Sequence, residues 1–462
     1  MDPSAARRHT PAVPNIVAAP VVLFTVAYSL AGLLRHWHFG SNAYDLGIFD
    51  QAVWHLSRFE APASTISGFT NVLGDHFYPI IAAFAPLYWF APAPETLIVA
   101  QAILFALSAL PVFLYLRGRL PQGPALTLTC AYGLFWGMQR AVVFDVHEVA
   151  FAPLIIATAI LALDRRRWDV LAVALGALML VKEDLIPVAG FFGLLLIVDG
   201  RRRAGLAVIA ISLLVFLVVV TTVIPGFNEG QFSYGGAYAA VAERPWQIPA
   251  TLVTPPVKIR TAMLWLLPFL FLPLRSPLAL LLVPFVLSRF LSTSPNHWGT
   301  IFHYSAPLAP ILAMAAGYGL SRLARGISSE ATRVRTIRAA CGASLVLCAV
   351  LPGNQPLWEV FSPKHYRAAD FHAIGHELVA RIPDGASVVA MAEIVPHLSR
   401  REQVYILKPD APDADYVLAS TRLSPWPLGS DGEVAALLAE RRARGYTVEF
   451  EGDSWVLLRR PR

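Results

Sequence analysis

The chain is 462 residues long, 56% apolar and only 15% charged, with a formal net charge of +6. So large an apolar share excludes an ordinary water-soluble globule. The excess of Lys and Arg lies in short clusters beside apolar runs rather than on one basic face, which excludes a nucleic-acid partner and points to a lipid bilayer.

Apolar runs of about 15–22 residues recur from Ile16 to Leu351, the length a helix needs to cross hydrocarbon. Arg7 and Arg8 precede the first run, 16–34, so residues 1–15 read as a cytoplasmic tail and the run as an outward anchor. It is too long for a signal-peptide core and no small-residue cleavage site follows it. Keeping Arg117 and Arg119, the basic groups at 165–167 and 201–203, Arg275 and the basic residues of 322–338 inside gives the remaining spans. They fall at 96–116, 125–140, 149–163, 170–181, 185–198, 206–224, 261–274, 278–291, 305–320 and 339–351. The fold class is therefore an α-helical polytopic membrane protein of about 11 transmembrane helices, and an odd count puts the C-terminus outside. Segment 76–92 is apolar, but counting it would reverse Arg117 and Arg119; with Pro79, Pro86 and Pro92 it reads as a re-entrant or surface helix. Cys130, Cys341 and Cys348 all fall in predicted spans and imply no disulfide framework.

Two long outer loops interrupt this membrane domain of 16–352. In the first, 35–75, Ile48, Phe49, Ala52, Val53 and Leu56 follow helical spacing and predict a helix lying along the membrane surface. The second, 225–257, is rich in Gly, Tyr and Pro and long enough to act as a lid. Beyond it, 353–462 has the composition of a small extracytoplasmic α/β domain. A helix is predicted from 362 through Phe371, Ile374, Leu378 and Ile382, then strands at 386–392, 404–407 and 416–420. A helix at 433–444 and a hairpin of 447–451 and 454–459 about Gly452-Asp453 complete it. The domain has no Gly-rich phosphate loop, no paired Cys–His spacing and no nucleophile elbow.

The ionisable residues then gather on one side. Asp45, Asp50, Asp75 and His76 lie in or beside the first outer loop; Asp145, His147 and Glu148, then Lys182, Glu183 and Asp184, then His297, His303 and Tyr304 occupy later outer turns. Charges at the hydrocarbon boundary are costly unless they pair or line a wet cavity, so the pattern predicts a shared polar cleft. Each residue also has a plainer role open to it. Asp45 and Asp50 fit the polar side of a surface helix, Asp75 a helix cap, Lys182 a local ion pair, and the histidines the interface. The same O and N donors could hold a divalent metal, although no fixed spacing singles one out. Arg140, Lys182 and Arg289 sit at outer ends of spans, and Arg244, Lys258 and Arg260 in or after the second loop, against the inside bias. They fit headgroup snorkelling or recognition of a lipid phosphate.

At Tyr44-Asp45-Leu46-Gly47-Ile48-Phe49-Asp50-Gln51, Gly74-Asp75-His76-Phe77, Val181-Lys182-Glu183-Asp184 and His303-Tyr304-Ser305-Ala306-Pro307 the chain resembles a bacterial membrane family known as domain of unknown function 2079. Val395-Pro396-His397-Leu398-Ser399 and Ala414-Asp415-Tyr416-Val417-Leu418 extend the likeness into the terminal domain. The architecture is also similar to the C-type (GT-C) membrane glycosyltransferases of the cell envelope, with an outward first span, a long acidic first loop and a terminal soluble domain. That resemblance implies a polyprenyl-phosphate sugar donor, an extracytoplasmic glycan or protein acceptor, and Asp45 as the first-loop catalytic carboxylate. Leu46 stands where many of those enzymes carry a second acid, so the acidic pair does not carry over. On this reading Asp45 is a general base with Asp50 and Asp75 as the other candidate catalytic carboxylates. His76, Arg140, His147, Glu148, Lys182, Glu183, Arg289, His303 and Tyr304 would bind substrate. A transporter using the same residues as a solute path, or a noncatalytic scaffold with a docking domain, are the rivals; spans nearly free of polar groups at mid-membrane favour a one-sided site.

Overall fold

Helices dominate the first three quarters of the chain because apolar runs buried in lipid must satisfy every backbone group internally. The computed structural model describes residues 15–353, 355–367 and 369–461, so Arg7, Arg8 and nearly all of the predicted 1–15 tail lie outside the described residues. The first helices are α1 (Ala18–Trp37), α2 (Ile48–Ser57), α3 (Pro94–Leu107), α4 (Ala109–Arg117), α5 (Gln122–Leu134) and α6 (Trp136–Val143). Next come α7 (Ala152–Asp164), α8 (Trp168–Met179), α9 (Ile186–Val198) and α10 (Arg202–Val218).

Among the described residues, three helices are long and apolar enough to cross a membrane: Ala18–Trp37, the continuous Pro94–Arg117, and Arg202–Gly226. Other predicted spans are shorter or interrupted: 125–140 breaks at Phe135, and α7 and α9 have 13 residues each, about 20 Å of helix. Segment 76–92 contains an 11-residue 3₁₀ helix, Pro79–Trp89, as its prolines require, since Pro86 cannot supply an N–H to an α-helical ladder.

The helix Leu308–Arg325 runs through the centre, buried without a break over its first ten residues, so its apolar character extends round the whole helix. At the edge, α9 and α10 touch at Gly193 and Gly205. A Cβ on Gly193 would stand 2.6 Å from the Gly205 carbonyl oxygen, so only glycine admits this backbone approach. The outer side of α10 leaves Leu206, Leu213, Leu214 and Leu217 exposed, as a lipid-facing helix does.

The terminal domain carries a five-stranded sheet: β1 (Val388–Ala390), β2 (Val404–Ile406), β3 (Tyr416–Ser420), β4 (Thr447–Gly452) and β5 (Trp455–Arg459) in the order β2-β1-β3-β5-β4. β1 is parallel to β2 and β3, with Val389 beside Tyr405 and Val417; β5 is antiparallel to β3 and β4. Two details depart from the sequence reading. The first helix starts at Asp370, because Pro363 sits in a separate 3₁₀ turn, Pro363–Tyr366. The hairpin turns on Asp453 and Ser454, whose φ values of 48° and 71° supply the left-handed pair a tight turn needs.

This domain packs on the first long loop. The Ala43 N–H donates to the Ala392 carbonyl at 2.8 Å, and Gln51 Nε2 to the Arg401 carbonyl at 2.9 Å. The apolar face of α2 is covered by protein: Asp50, Gln51, Ala52, Val53 and His55 are all buried between the Pro79–Trp89 segment and the terminal domain. Six of the 12 histidines (His36, His38, His365, His372, His376 and His397) gather where the end of α1 meets the terminal domain, with His36 and His397 stacked at 4.0 Å.

Candidate functional site

Three turns repeat one local design. His147, Lys182 and Phe302 are extended; each is followed by a single 3₁₀ turn, Glu148–Phe151, Glu183–Leu185 and His303–Ser305, and then by a helix. Pro153, Pro187 and Pro307 stand at the helix starts, where a missing N–H costs nothing. The extended residue and the first 3₁₀ positions lie before the helical ladder closes, which frees their side chains to project into the space between turns.

Those side chains meet. His147 Nε2 donates to Asp45 Oδ1 at 3.0 Å, and the His147 ring stacks on His303 with centroids 3.7 Å apart. Lys182 Nζ lies 2.8 Å from Glu148 Oε1. His76 Nδ1 donates to Glu183 Oε1 at 2.5 Å and the Phe77 N–H to Oε2 at 2.9 Å. His76 in turn stacks on Tyr234 at 4.1 Å, and the Tyr234 hydroxyl donates to Asp75 Oδ1 at 2.6 Å. Tyr304 joins through its ring contact with His303 at 4.4 Å. These contacts form three groups, Asp45–His147–His303–Tyr304, Lys182–Glu148 and Glu183–His76–Tyr234–Asp75, which the chain itself joins because Glu148 follows His147 and Glu183 follows Lys182.

Charge follows this wiring. Burial alone would lower His147, but the Asp45 carboxylate holds it above its ordinary value. Burial would raise Glu183, yet His76 and Lys182 hold its carboxyl at about 2, and Glu183 in return holds His76 up against burial. Glu148 is likewise kept low by Lys182 in spite of burial. His303 is different: burial, then the neighbouring His147, push it well below its usual value, so it is a neutral ring. Neither of its nitrogens has a hydrogen-bond partner among the described residues. Asp45 keeps an open side, its side chain 23% exposed.

Three candidates stand elsewhere. Asp50 is fully buried; it accepts hydrogen bonds from the Tyr88 hydroxyl and, at 2.6 Å, from Ser399 Oγ of the terminal domain. It is a joint between domains, not a group over the cleft. Arg289 spends its nitrogens on the His297 carbonyl at 2.7 Å, Ser305 Oγ at 2.7 Å and the Gly299 carbonyl at 2.8 Å, and so braces the loop leading to His303. Arg140 lines a separate cavity beside Arg35.

The sequence reading missed Tyr234, which ties the second long loop to Asp75 and His76. The signal was there in the Tyr- and Gly-rich run 233–238, but nothing in it specified the partner. It also left out the partnership of Arg35 with Asp145, whose second oxygen accepts the Asn42 N–H at 2.7 Å and so fixes the start of the Asp45 turn.

Of the cleft carboxylates, Asp45, Glu148 and Glu183 each face a His or Lys partner, and Asp75 accepts from the Tyr234 hydroxyl. Among the described residues the group with cation-ligand spacing is His55, Glu60 and Glu402, on the terminal-domain contact, where Arg58 already bridges both glutamates at 3.0 Å.

The family model described as "Predicted membrane protein (DUF2079)" matches residues 35–457. The chain belongs to that family. No curated protein matches it. Among solved structures it is similar to ArnT from Cupriavidus metallidurans bound to undecaprenyl phosphate, with a TM-score of 0.59 at 12% identity over 97% of this chain and 98% of that one. The apo state of the same protein gives a TM-score of 0.56 at 12% identity over 96% and 97%. The archaeal oligosaccharyltransferase AglB from Archaeoglobus fulgidus, in complex with an inhibitory peptide and a dolichol-phosphate, gives 0.48 at 12% over 88% and 69%. The DUF2079 chain therefore shares the overall fold of ArnT.

Proposed function

We propose that this DUF2079 protein is an inverting membrane glycosyltransferase that takes a sugar from a polyprenyl-phosphate carrier at the outer face and passes it to an extracytoplasmic glycan or protein. The observation that carries the reading is the Asp45–His147 pair: a partly open carboxylate in the first long loop, gripped at 3.0 Å by a buried histidine. The likeness to ArnT, a structure with undecaprenyl phosphate bound, supports the donor class.

With Oδ1 engaged by His147, Oδ2 of Asp45 is the oxygen that takes the acceptor's proton. As that O–H bond breaks, the acceptor oxygen bonds to the sugar's anomeric carbon, and the bond from that carbon to the phosphate oxygen breaks with its electron pair leaving on the lipid phosphate. The neutral His303 ring has an N–H free to donate to a substrate oxygen, and Lys182 adds positive potential beside it. The loop 225–257, tied down by Tyr234, excludes water from this space. The topology has about eleven crossings, counting short helices extended by their 3₁₀ turns. It leaves the N-terminus in the cytoplasm and residues 353–462, with the loop they cover, outside.

The test is purified protein in bilayers offered a panel of polyprenyl-phosphate sugars, with release of lipid phosphate followed. Release that depends on an acceptor and disappears in Asp45→Asn supports the reading; no release from any donor of the panel counts against it.

A further inference from the structure

Outside the Asp45 cleft lies a second cavity of about 400 Å³, built where the end of α1 and α6 meet the connection to the terminal domain. Arg35, His38, Arg140, Lys364 and His365 line it, against a single acid, Glu359. That acid is 3.3 Å from His365, and Arg35 is partly spent on Asp145, but Lys364 has no ion pair among the described residues. The rest of the lining is apolar, including Leu34 and Val360. A cavity with a basic rim and an apolar floor suits a ligand that is anionic at one end and greasy at the other.

Its surroundings say where it opens. On α1, Leu23, Val26 and Leu30 are exposed, and Leu30 lies one turn before Leu34 of the lining, so a lipid-facing stripe leads into the cavity. On the connecting segment, Trp358, Phe361 and Tyr366 are exposed beside Lys364. Exposed aromatics next to a lysine are what a chain lying at the headgroup level of a bilayer presents. We infer that this cavity binds the phosphate group of an anionic membrane lipid, held by Arg35, Arg140 and Lys364 with its chain along the Leu23–Leu30 face of α1. Occupation would draw on Arg35, whose partner Asp145 also holds the Asn42 N–H, and so would reach the start of the Asp45 turn.

Native mass spectrometry of the full-length protein, titrated with lysophosphatidic acid, lysophosphatidylcholine or inorganic phosphate, tests this. The expected result is one retained lysophosphatidic acid at concentrations where lysophosphatidylcholine leaves none. Lys364→Glu, on an exposed side chain, weakens retention roughly tenfold or more, because the reversal removes a cation and adds an anion beside the headgroup; Lys364→Arg preserves it. Displacement of the lipid by millimolar inorganic phosphate assigns the cavity to free phosphate, and resistance to it assigns the cavity to a lipid headgroup. Equal retention of both lipids, or wild-type retention by Lys364→Glu, overturns the inference. Sugar transfer is not read in this experiment, so its outcome is separate from that of the glycosyltransferase reading.

Discussion

Asp45 and Asp50, five residues apart in one continuous helical stretch, face opposite surroundings: Asp45 meets His147 with part of its carboxylate open, while Asp50 is sealed between Tyr88 and Ser399. A 3.6-residue helical period separates positions five apart by more than 130°, and the π-turn at Ala43–Gly47 adds its own offset. The two carboxylates therefore have different chemistry and different expected mutants.

Asp45→Asn is expected to lower transfer by roughly 10²–10⁴-fold, the range for loss of a general base, with the protein still folded. Asp50→Asn is expected to keep transfer near the wild-type rate. Lipid-phosphate release by both variants, beside their thermal unfolding, checks this; the reverse ranking moves the base to Asp50.

Asp50 also predicts a pH dependence. Burial raises its folded value to about 6 from 3.8, so the folded protein binds this proton more tightly than the unfolded chain. The contribution to stability is full below about pH 3.8 and is lost as pH rises through about 6. Asp50→Asn should flatten the unfolding midpoint across pH 4–7 relative to wild type, and an unchanged slope would contradict the assignment.

The His76–Glu183 pair has a window of its own. Glu183, held at about 2, contributes above pH 4.5 and loses that contribution only as pH falls toward 2. His76, held above 6.5, contributes fully below 6.5 and loses it as pH rises through its folded value. The tether is strongest between about pH 4.5 and 6.5. Glu183→Gln should abolish that bell in unfolding midpoint, and a wild-type-shaped profile would argue against the pair.

Lys182→Met leaves the Glu148 carboxylate buried without its cation and is expected to destabilise by about 3–5 kcal/mol. Adding Glu148→Gln should restore most of it. A double-mutant cycle on chemical unfolding reads the coupling, and additive losses would show that the two groups are independent.

Ser430 is exposed on the terminal domain. In Ser430→Cys, a membrane-impermeant thiol reagent applied to intact cells should label this site, with Cys341 and Cys348 protected by burial. Labelling only after the cytoplasmic membrane is broken would invert the proposed topology.

Much of this was legible one residue at a time. Apolar run length located the three long helices, short apolar runs bounded by turn residues located the strands of the terminal domain to within a residue or two, and the expense of charge at a membrane boundary marked the turns at 145–148, 182–184 and 303–304 as belonging together. Pairing was not legible. His147 and Asp45 are 102 residues apart, His76 and Glu183 107, and Asp50 and Ser399 349; periodicity reports only which face a residue occupies, not what stands opposite. The amphipathic pattern of α2 specified a buried stripe but not its cover, and the terminal domain rather than lipid covers it because the first loop hydrogen-bonds to that domain through Ala43, Gln51 and Asp50. Local hydropathy and turn chemistry are enough to specify a helical membrane protein whose polar turns share one side, with a small α/β domain after it. Only the tertiary structure decided that Asp45 keeps an open side while Asp50 and Arg289 are used up in bracing, because burial and hydrogen-bond satisfaction depend on atoms that folding brings from distant parts of the chain.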